Sequence, residues 1–399
     1  MNLVKGFNTI ADIQVDRFRP YCHEKPIVMS HDSYYRTKQL GAVLYKAVQY
    51  FMNNYSSFSH LMPLADDDLR VLEICSKYPL NVGTYRTDFL VDQDNEMKII
   101  EMTTRQPLNG YFISGFTNRI GQEVAKKLGL ENIIDDYHRF LEYFANKFVP
   151  TGKICIIKGN ERLGDFKIYT SIFEAADMDC HIIELDDLPN KMHLLAGATV
   201  VEELNHAEIK QLPDSIIDEL TSIKIHNDFR NLFLIHDKRF FYILTNPDFI
   251  ERALTEEEAN ILNSFTIPSY VYPLHKEYFT DAYSNKDKYI IKHILYGKSE
   301  AVYAGCVTKE EDWKKIFDTE NLQHMVLQPM LDQKKYIGKI GNEERNDFTA
   351  GTYLYFNEEY FGPGIYRASS FVVTNQGDDR KMAQLVATVD KEDDRVHHL

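Results

Sequence analysis

An α/β architecture made of more than one packed unit is what the patterning of this chain predicts. A strand–helix–strand texture follows Pro150, an amphipathic helix occupies 36–55, and several pairs of short β-branched runs are separated by polar turns. At 399 residues the chain exceeds what one hydrophobic core usually covers, so two or three units are expected. A hydrophobic content of 44% supplies enough core for them and argues against disorder.

In chain order, Leu40, Val43, Leu44, Ala47, Val48 and Phe51 recur at the three-and-four spacing of a helix with one buried stripe, ending near Asn53. Two strand-like runs follow, at 85–91 and 97–103. The residues between them, Asp92, Asp94 and Asn95, fold their short side chains back onto the backbone in turns, which predicts a hairpin. Alternation puts Arg86 and Asp88 on one face of the first strand, and Glu101 and Thr103 on one face of the second. A suitable register gathers an arginine, two carboxylates and a hydroxyl. Carboxylates hold magnesium and a guanidinium forks onto phosphate or carboxylate oxygens, the plainer alternative being a surface ion pair. The segment 104–114, with Arg105, Gln106, Asn109, Gly110 and Ser114, has the composition of a functional loop.

Helices are expected at 118–128, closed by Gly129, and at 133–148 before Pro150. A strand at 153–157, a helix at 165–176 and strands at 180–185 and 199–202 then make a small Rossmann-like unit over 151–230. Its 159–164 stretch lacks the glycine spacing of a dinucleotide fingerprint, which argues against NAD. The apolar run from Leu232 reads as a strand meeting the triplet Asp237-Lys238-Arg239, with Lys238 placed at the strand end to reach a phosphate. Thr255 is a candidate N-cap. Strands at 289–292 and 301–304 flank a loop holding Tyr296, Gly297, Lys298 and Ser299. A further strand at 324–330 and paired strands at 351–356 and 362–370 complete the chain.

A net charge of −15 argues against a sequence-independent nucleic-acid binder, whose affinity rests on many cationic contacts to phosphate. The five cysteines show no C-x-x-C pair, so reduced thiols are expected and neither a disulfide framework nor a zinc site. No apolar run approaches membrane-spanning length and residues 1–6 lack an apolar signal core, so the expectation is a cytoplasmic protein without a membrane partner. His397 and His398 read as a solvated tail.

Taken together and in order, Arg86-x-Asp88, Glu101-x-Thr103, the loop after it, Lys238, Lys292 and Arg367 resemble ATP-grasp ligases of the glutathionylspermidine synthetase and eukaryotic glutathione synthetase type, a circularly permuted branch. The resemblance implies an ATP-grasp fold with an inserted Rossmann-like unit. Residues 1–150 and 331–399 would be the two parts of the ATP-grasp core, 151–230 the substrate unit, and 231–330 the nucleotide-binding lid and hinge. It implies ATP and Mg2+ as cofactors. Asp88, Glu101 and Thr103 would hold the metal, and Lys238, Lys292, Gly297, Lys298 and Ser299 the phosphates. Leu327, Gln328 and Met330 would meet the adenine edge. Arg86 and Arg367 would act on an acyl phosphate, with Arg105, Asn109 and Ser114 on the substrate.

The implied reaction joins a small-molecule carboxylate, free or carrier-bound, to an amine through an acyl-phosphate intermediate, and the resemblance favours a homodimer. This chain departs from the family in having Thr103 where Glu-x-Asn is usual, and a single glycine, Gly297, inside the flap loop. Both departures suit the alternative, a non-catalytic relative that binds a nucleotide, peptide or carrier protein.

Overall fold

The alternation along 84–103 becomes an antiparallel hairpin, Thr84–Val91 with Met97–Thr103, in the computed structural model, which describes residues 2–160, 166–223, 225–297, 299–374, 380–390 and 392–399. The hairpin is one edge of an antiparallel sheet whose other strands come from the far end of the sequence. Thr84–Val91 pairs with Glu343–Phe356, which pairs in turn with Glu359–Ser369 and with Lys335–Ile340. Stacked rings tie this register together, Phe89 on Tyr353 at 4.1 Å and Tyr85 on Tyr355 at 4.9 Å, a cross-strand pairing that adds to the area they bury.

Helix His31–Asn53 packs its apolar stripe into the core beneath this sheet, and Tyr85 donates across to the Gly41 carbonyl at 3.1 Å. The helix starts before the expected residue 36 because the Ser30 hydroxyl caps it, accepting from the Ser33 N–H. Helix Tyr111–Leu128 also begins earlier than expected, straight after Gly110, and closes on Gly129 in the left-handed conformation. The expected 133–148 helix is shorter. Residues Glu131–Ile134 form a strand, Asp135 caps Asp136–Tyr143, and one wider turn follows at Phe144–Phe148.

The βαβ unit forms as expected. Lys153–Lys158 is the middle strand of a three-stranded parallel sheet between Asp179–Glu184 and Thr199–Glu203, with helix Phe166–Ala175 in the crossover. The last part of the 159–164 stretch, like the expected helix start at residue 165, lies outside the described residues.

The run from Leu232 is a correction: it is two short helices, Phe229–Leu234 and Phe240–Ile243. These residues are buried on all sides, and a run without a solvent face carries no periodicity to separate strand from helix. Asp228 starts the first helix by accepting from the Arg230 N–H. Thr255 caps Glu256–Phe265 in a reciprocal capping box with Glu258.

The lid is an antiparallel sheet in the order Val302–Ala304, Tyr289–His293, Met325–Pro329, Tyr270–Val271, with its own small core around Trp313, Ile291 and Leu327. In the remaining sheet Ile27–Met29 lies between Gln384–Thr388 and His397–His398. The two histidines are therefore half-buried strand residues and not a solvated tail. All five cysteines are free, and no helix among the described residues is long and apolar enough to cross a membrane.

Candidate functional site

A cavity of about 470 Å3 lies where the hairpin, the lid sheet and the start of helix Tyr111–Leu128 converge. Its floor is set by register. Asp88 stands opposite Glu101 and Arg86 opposite Thr103, so all four functional positions of the hairpin face the cavity together. Beyond them Phe89 pairs with Ile99, which leaves Ile100 as the extra residue of a β-bulge. The bulge turns Ile100 and Glu101 toward the same space.

Charge is paired tightly here. Arg86 Nε donates to Asp88 Oδ1 at 3.2 Å, while Arg367 Nη1 stands 3.9 Å from Oδ2. Glu101 Oε1 is 3.2 Å from Lys238 Nζ, which also donates to the Tyr296 carbonyl at 2.6 Å. Lys292 Nζ donates to the Ile100 carbonyl at 3.3 Å. The two opposed carboxyls shift apart. Burial raises Asp88, against Arg86 and with Glu101 adding to the rise. Burial also opposes ionisation of Glu101, but Lys238 and Lys292 outweigh it and hold this carboxyl below its usual range. Lys292 is itself lowered to about 8, by burial first, with Glu101 resisting.

Lys238 does not line the cavity, against expectation. It is 3% exposed and sits behind Glu101, where its ammonium holds that carboxylate and the flap carbonyl. Its neighbours aim it. Arg239 pairs with Asp237 at 2.7 Å and donates to the Pro63 carbonyl at 2.9 Å, so the outer members of the triplet clamp the turn.

On the loop, Arg86 Nη1 donates to both oxygens of Asn109, backbone at 3.2 Å and side chain at 3.1 Å. Asn109 Nδ2 in turn donates to Gln106 Oε1 at 3.2 Å. Glycine suits position 110 on two counts, the backbone angle being the stricter. Its φ of +81° is left-handed, and a Cβ there would stand 2.8 Å from Arg86 Nη1. Arg105 and Asn109 line the cavity, but Ser114 does not. It is buried and donates to the Gly110 carbonyl at 2.6 Å within its own helix, and Ile113 takes the cavity wall.

On the lid, Gln328 and Met330 line the cavity and Leu327 does not, being an interior residue paired with Tyr270 and Ile291. The Met330 N–H is engaged by the Lys288 carbonyl at 2.7 Å. The open group is Gln328 Oε1. Its amide nitrogen donates to Ser269 at 2.8 Å while the buried oxygen has no hydrogen-bond partner. In the flap, Gly297 and Ser299 line the cavity and Tyr296 stacks on His293 at 3.7 Å. Lys298 lies outside the described residues. The left-handed flap positions are Ser299 and Ala301, at φ +61° and +49°, and neither is a glycine.

Two polar cavity residues, Gln106 of the loop and His236, were given no role by the sequence reading. Gln106, 4% exposed, presents an Nε2 without a partner, and His236, 2% exposed, has two ring nitrogens without one. Burial holds the imidazole well below its usual pKa, with Arg105 and Lys238 adding, so it is neutral. Its place beside the Asp237-Lys238-Arg239 triplet was the available signal.

Beneath the site, Asn227 accepts from the Thr84 N–H at 2.7 Å and donates to the Thr84 and Thr104 carbonyls at 2.6 and 2.7 Å. It pins both hairpin strands to the loop after the parallel sheet.

Arg86, Arg105, Lys292 and Arg367 line the cavity against Asp88 and Glu101, a local excess of positive charge on a chain of net −15. Such a pocket selects an anion. Among the described residues no group of three or more His, Cys, Asp or Glu gathers to hold a metal. Asp88 and Glu101 each already face a cation, a donor set that fits magnesium arriving on a phosphate chain and not a free-standing ion.

Residues 37–234, just under half the chain, match the family model of the AnkG N-terminal domain. That stretch holds the hairpin, the loop and the parallel sheet, and stops before His236, Lys238 and the lid. No curated protein matches the chain. Among solved structures, a glutathione synthetase like-effector from Globodera pallida, in apo form, is similar over 97% of each chain, with a TM-score of 0.59 at 11% identity. A likeness of that degree shows the fold, an α/β arrangement shared with that glutathione synthetase like-effector.

Proposed function

We propose that this cavity binds ATP and activates a carboxylate for attack by an amine, making the protein an ATP-dependent carboxylate–amine ligase. The observation that carries the reading is the opposed Asp88–Glu101 pair ringed by Arg86, Arg367 and Lys292 beneath a lid sheet. Gln328 Oε1 is an acceptor suited to an exocyclic amino group of the base. Lys292 supplies a point charge for a phosphate, and Arg86 and Arg367 offer forked donors for the oxygens of an acyl phosphate. Magnesium bound with the nucleotide would rest on Asp88, Glu101 and Thr103 and neutralise phosphate charge there. Lys238 keeps Glu101 ionised and in place. A cytoplasmic location and a homodimer belong to this reading.

A second reading, a binder without turnover, is favoured by two observations. Both carboxylates are already paired with protein cations, and the flap turns through Ser299 and Ala301 where phosphate loops use glycine.

Calorimetric titration of ATP with and without magnesium, on the intact chain and on Asp88→Asn and Glu101→Gln, separates them. The ligase reading expects magnesium-dependent binding that both substitutions abolish, followed by ADP release with a matched acid and amine. ATP binding indifferent to magnesium, without ADP release from any acid–amine pair, selects the second reading. No binding by the folded chain rules out both for ATP.

A further inference from the structure

The hairpin meets the cavity at two places, which are its two ends there. At mid-strand Lys292 of the lid reaches the Ile100 carbonyl, and toward the open end of the hairpin Arg86 reaches Asn109 at the start of helix Tyr111–Leu128. Past Asn109 the cavity wall changes character. Phe18, Ile113 and Ile168, from three different helices, face it with partly exposed apolar side chains backed by one hydrophobic cluster. Where that wall begins, Asn109 occupies Gln106 Oε1 and leaves the buried Nε2 as a donor without an acceptor. A buried donor of this kind costs free energy until an acceptor arrives. Among the described cavity-lining residues the carboxylates are Asp88 and Glu101, each already facing a protein cation, so none of these residues has a carboxylate left to pair with an ammonium group.

We propose that this end is the acid subsite of the reaction and that the acid is a monocarboxylate with an apolar, branched or aromatic body and no charged amine. The inference rests on the ligase reading for its chemistry, but not for the binding itself. The carboxylate lies between Arg86 and the Gln106 amide, and the body lies against Phe18, Ile113 and Ile168.

The test uses the full chain and four probes of similar length, 4-methylpentanoate, 3-phenylpropanoate, glutarate and 6-aminohexanoate, titrated calorimetrically with and without ATP. The first two should bind at least about tenfold tighter than the last two, since two or three methylenes of apolar contact suffice for that ratio. Ile113→Asn and Ile168→Asn, checked for folding by circular dichroism, should each reduce the preference about fivefold and leave ATP affinity unchanged. Equal binding of all four acids, or a preference intact in both folded variants, overturns the proposal. ATP binding with no acid binding also overturns it and leaves the nucleotide reading standing. Ranked acid binding without ATP binding keeps the subsite and removes the ligase reading.

Discussion

Lys292 has its charge set by its surroundings to change near physiological pH. Burial brings it to about 8, while Glu101 stays ionised beside it and His236 neutral. The sign is fixed by proton counting. Between about 8 and the unfolded lysine value of about 10.4 the native chain binds fewer protons than the unfolded one, so this group contributes stability as pH rises through that window. Anion binding goes the other way, since it needs the ammonium. ATP affinity should hold below pH 8 and fall above it by up to about tenfold per pH unit, and Lys292→Arg should flatten the profile because a guanidinium keeps its charge. Titrations from pH 6.5 to 9.5 that superimpose for the two proteins would exclude this role. At this scale the chemistry-bearing types were legible, Arg86, Asp88, Glu101, Lys292 and Arg367 all reaching one cavity. Leu327 was not, being held inside the lid sheet by its pairing with Tyr270 and Ile291, and neither were Lys238 and Ser114. Whether a polar side chain turns outward or into a helix or sheet depends on a rotation of one residue, which composition does not encode.

Between elements, the hairpin was readable because a period of two and a polar turn fix the paired strands and their faces. Its bulge at Ile100 was not, since one extra residue leaves no mark in the pattern. The flap was read as poor in glycine, and the structure locates the cost at Ser299 and Ala301. A left-handed alanine is strained by about 1 kcal/mol or more. Ala301→Gly should therefore be neutral or stabilising by up to about 1 kcal/mol, where the same exchange in an exposed helix costs about that much. Urea unfolding monitored on the lid measures the difference, and a loss of 1 kcal/mol would show that no strain resides in the flap.

Across the whole molecule, the pairing of Thr84–Val91 with Glu343–Phe356 joins segments more than two hundred and fifty residues apart, and no local pattern announces it. Resemblance in the order of motifs supplied what periodicity lacked. The lid keeps a small core of its own around Trp313, the single tryptophan, whose indole N–H donates to the Ala282 carbonyl at 2.9 Å. Tryptophan fluorescence therefore reports the lid alone. In urea its transition should precede the loss of far-ultraviolet circular dichroism, and saturating ATP should move the fluorescence midpoint upward. Coincident transitions would mean that lid and body unfold as one unit.

The four hydrogen bonds of the Asn227 side chain bear on how such a molecule moves. One amide rivets the parallel-sheet unit to both strands of the site hairpin, so neither shifts without dragging the other. The body then behaves as an anvil. Any rearrangement around a guest is then expected of the lid, through the connections at 265–270 and 329–335 where it leaves the body, and would first have to release the Lys292–Ile100 and Lys238–Tyr296 contacts.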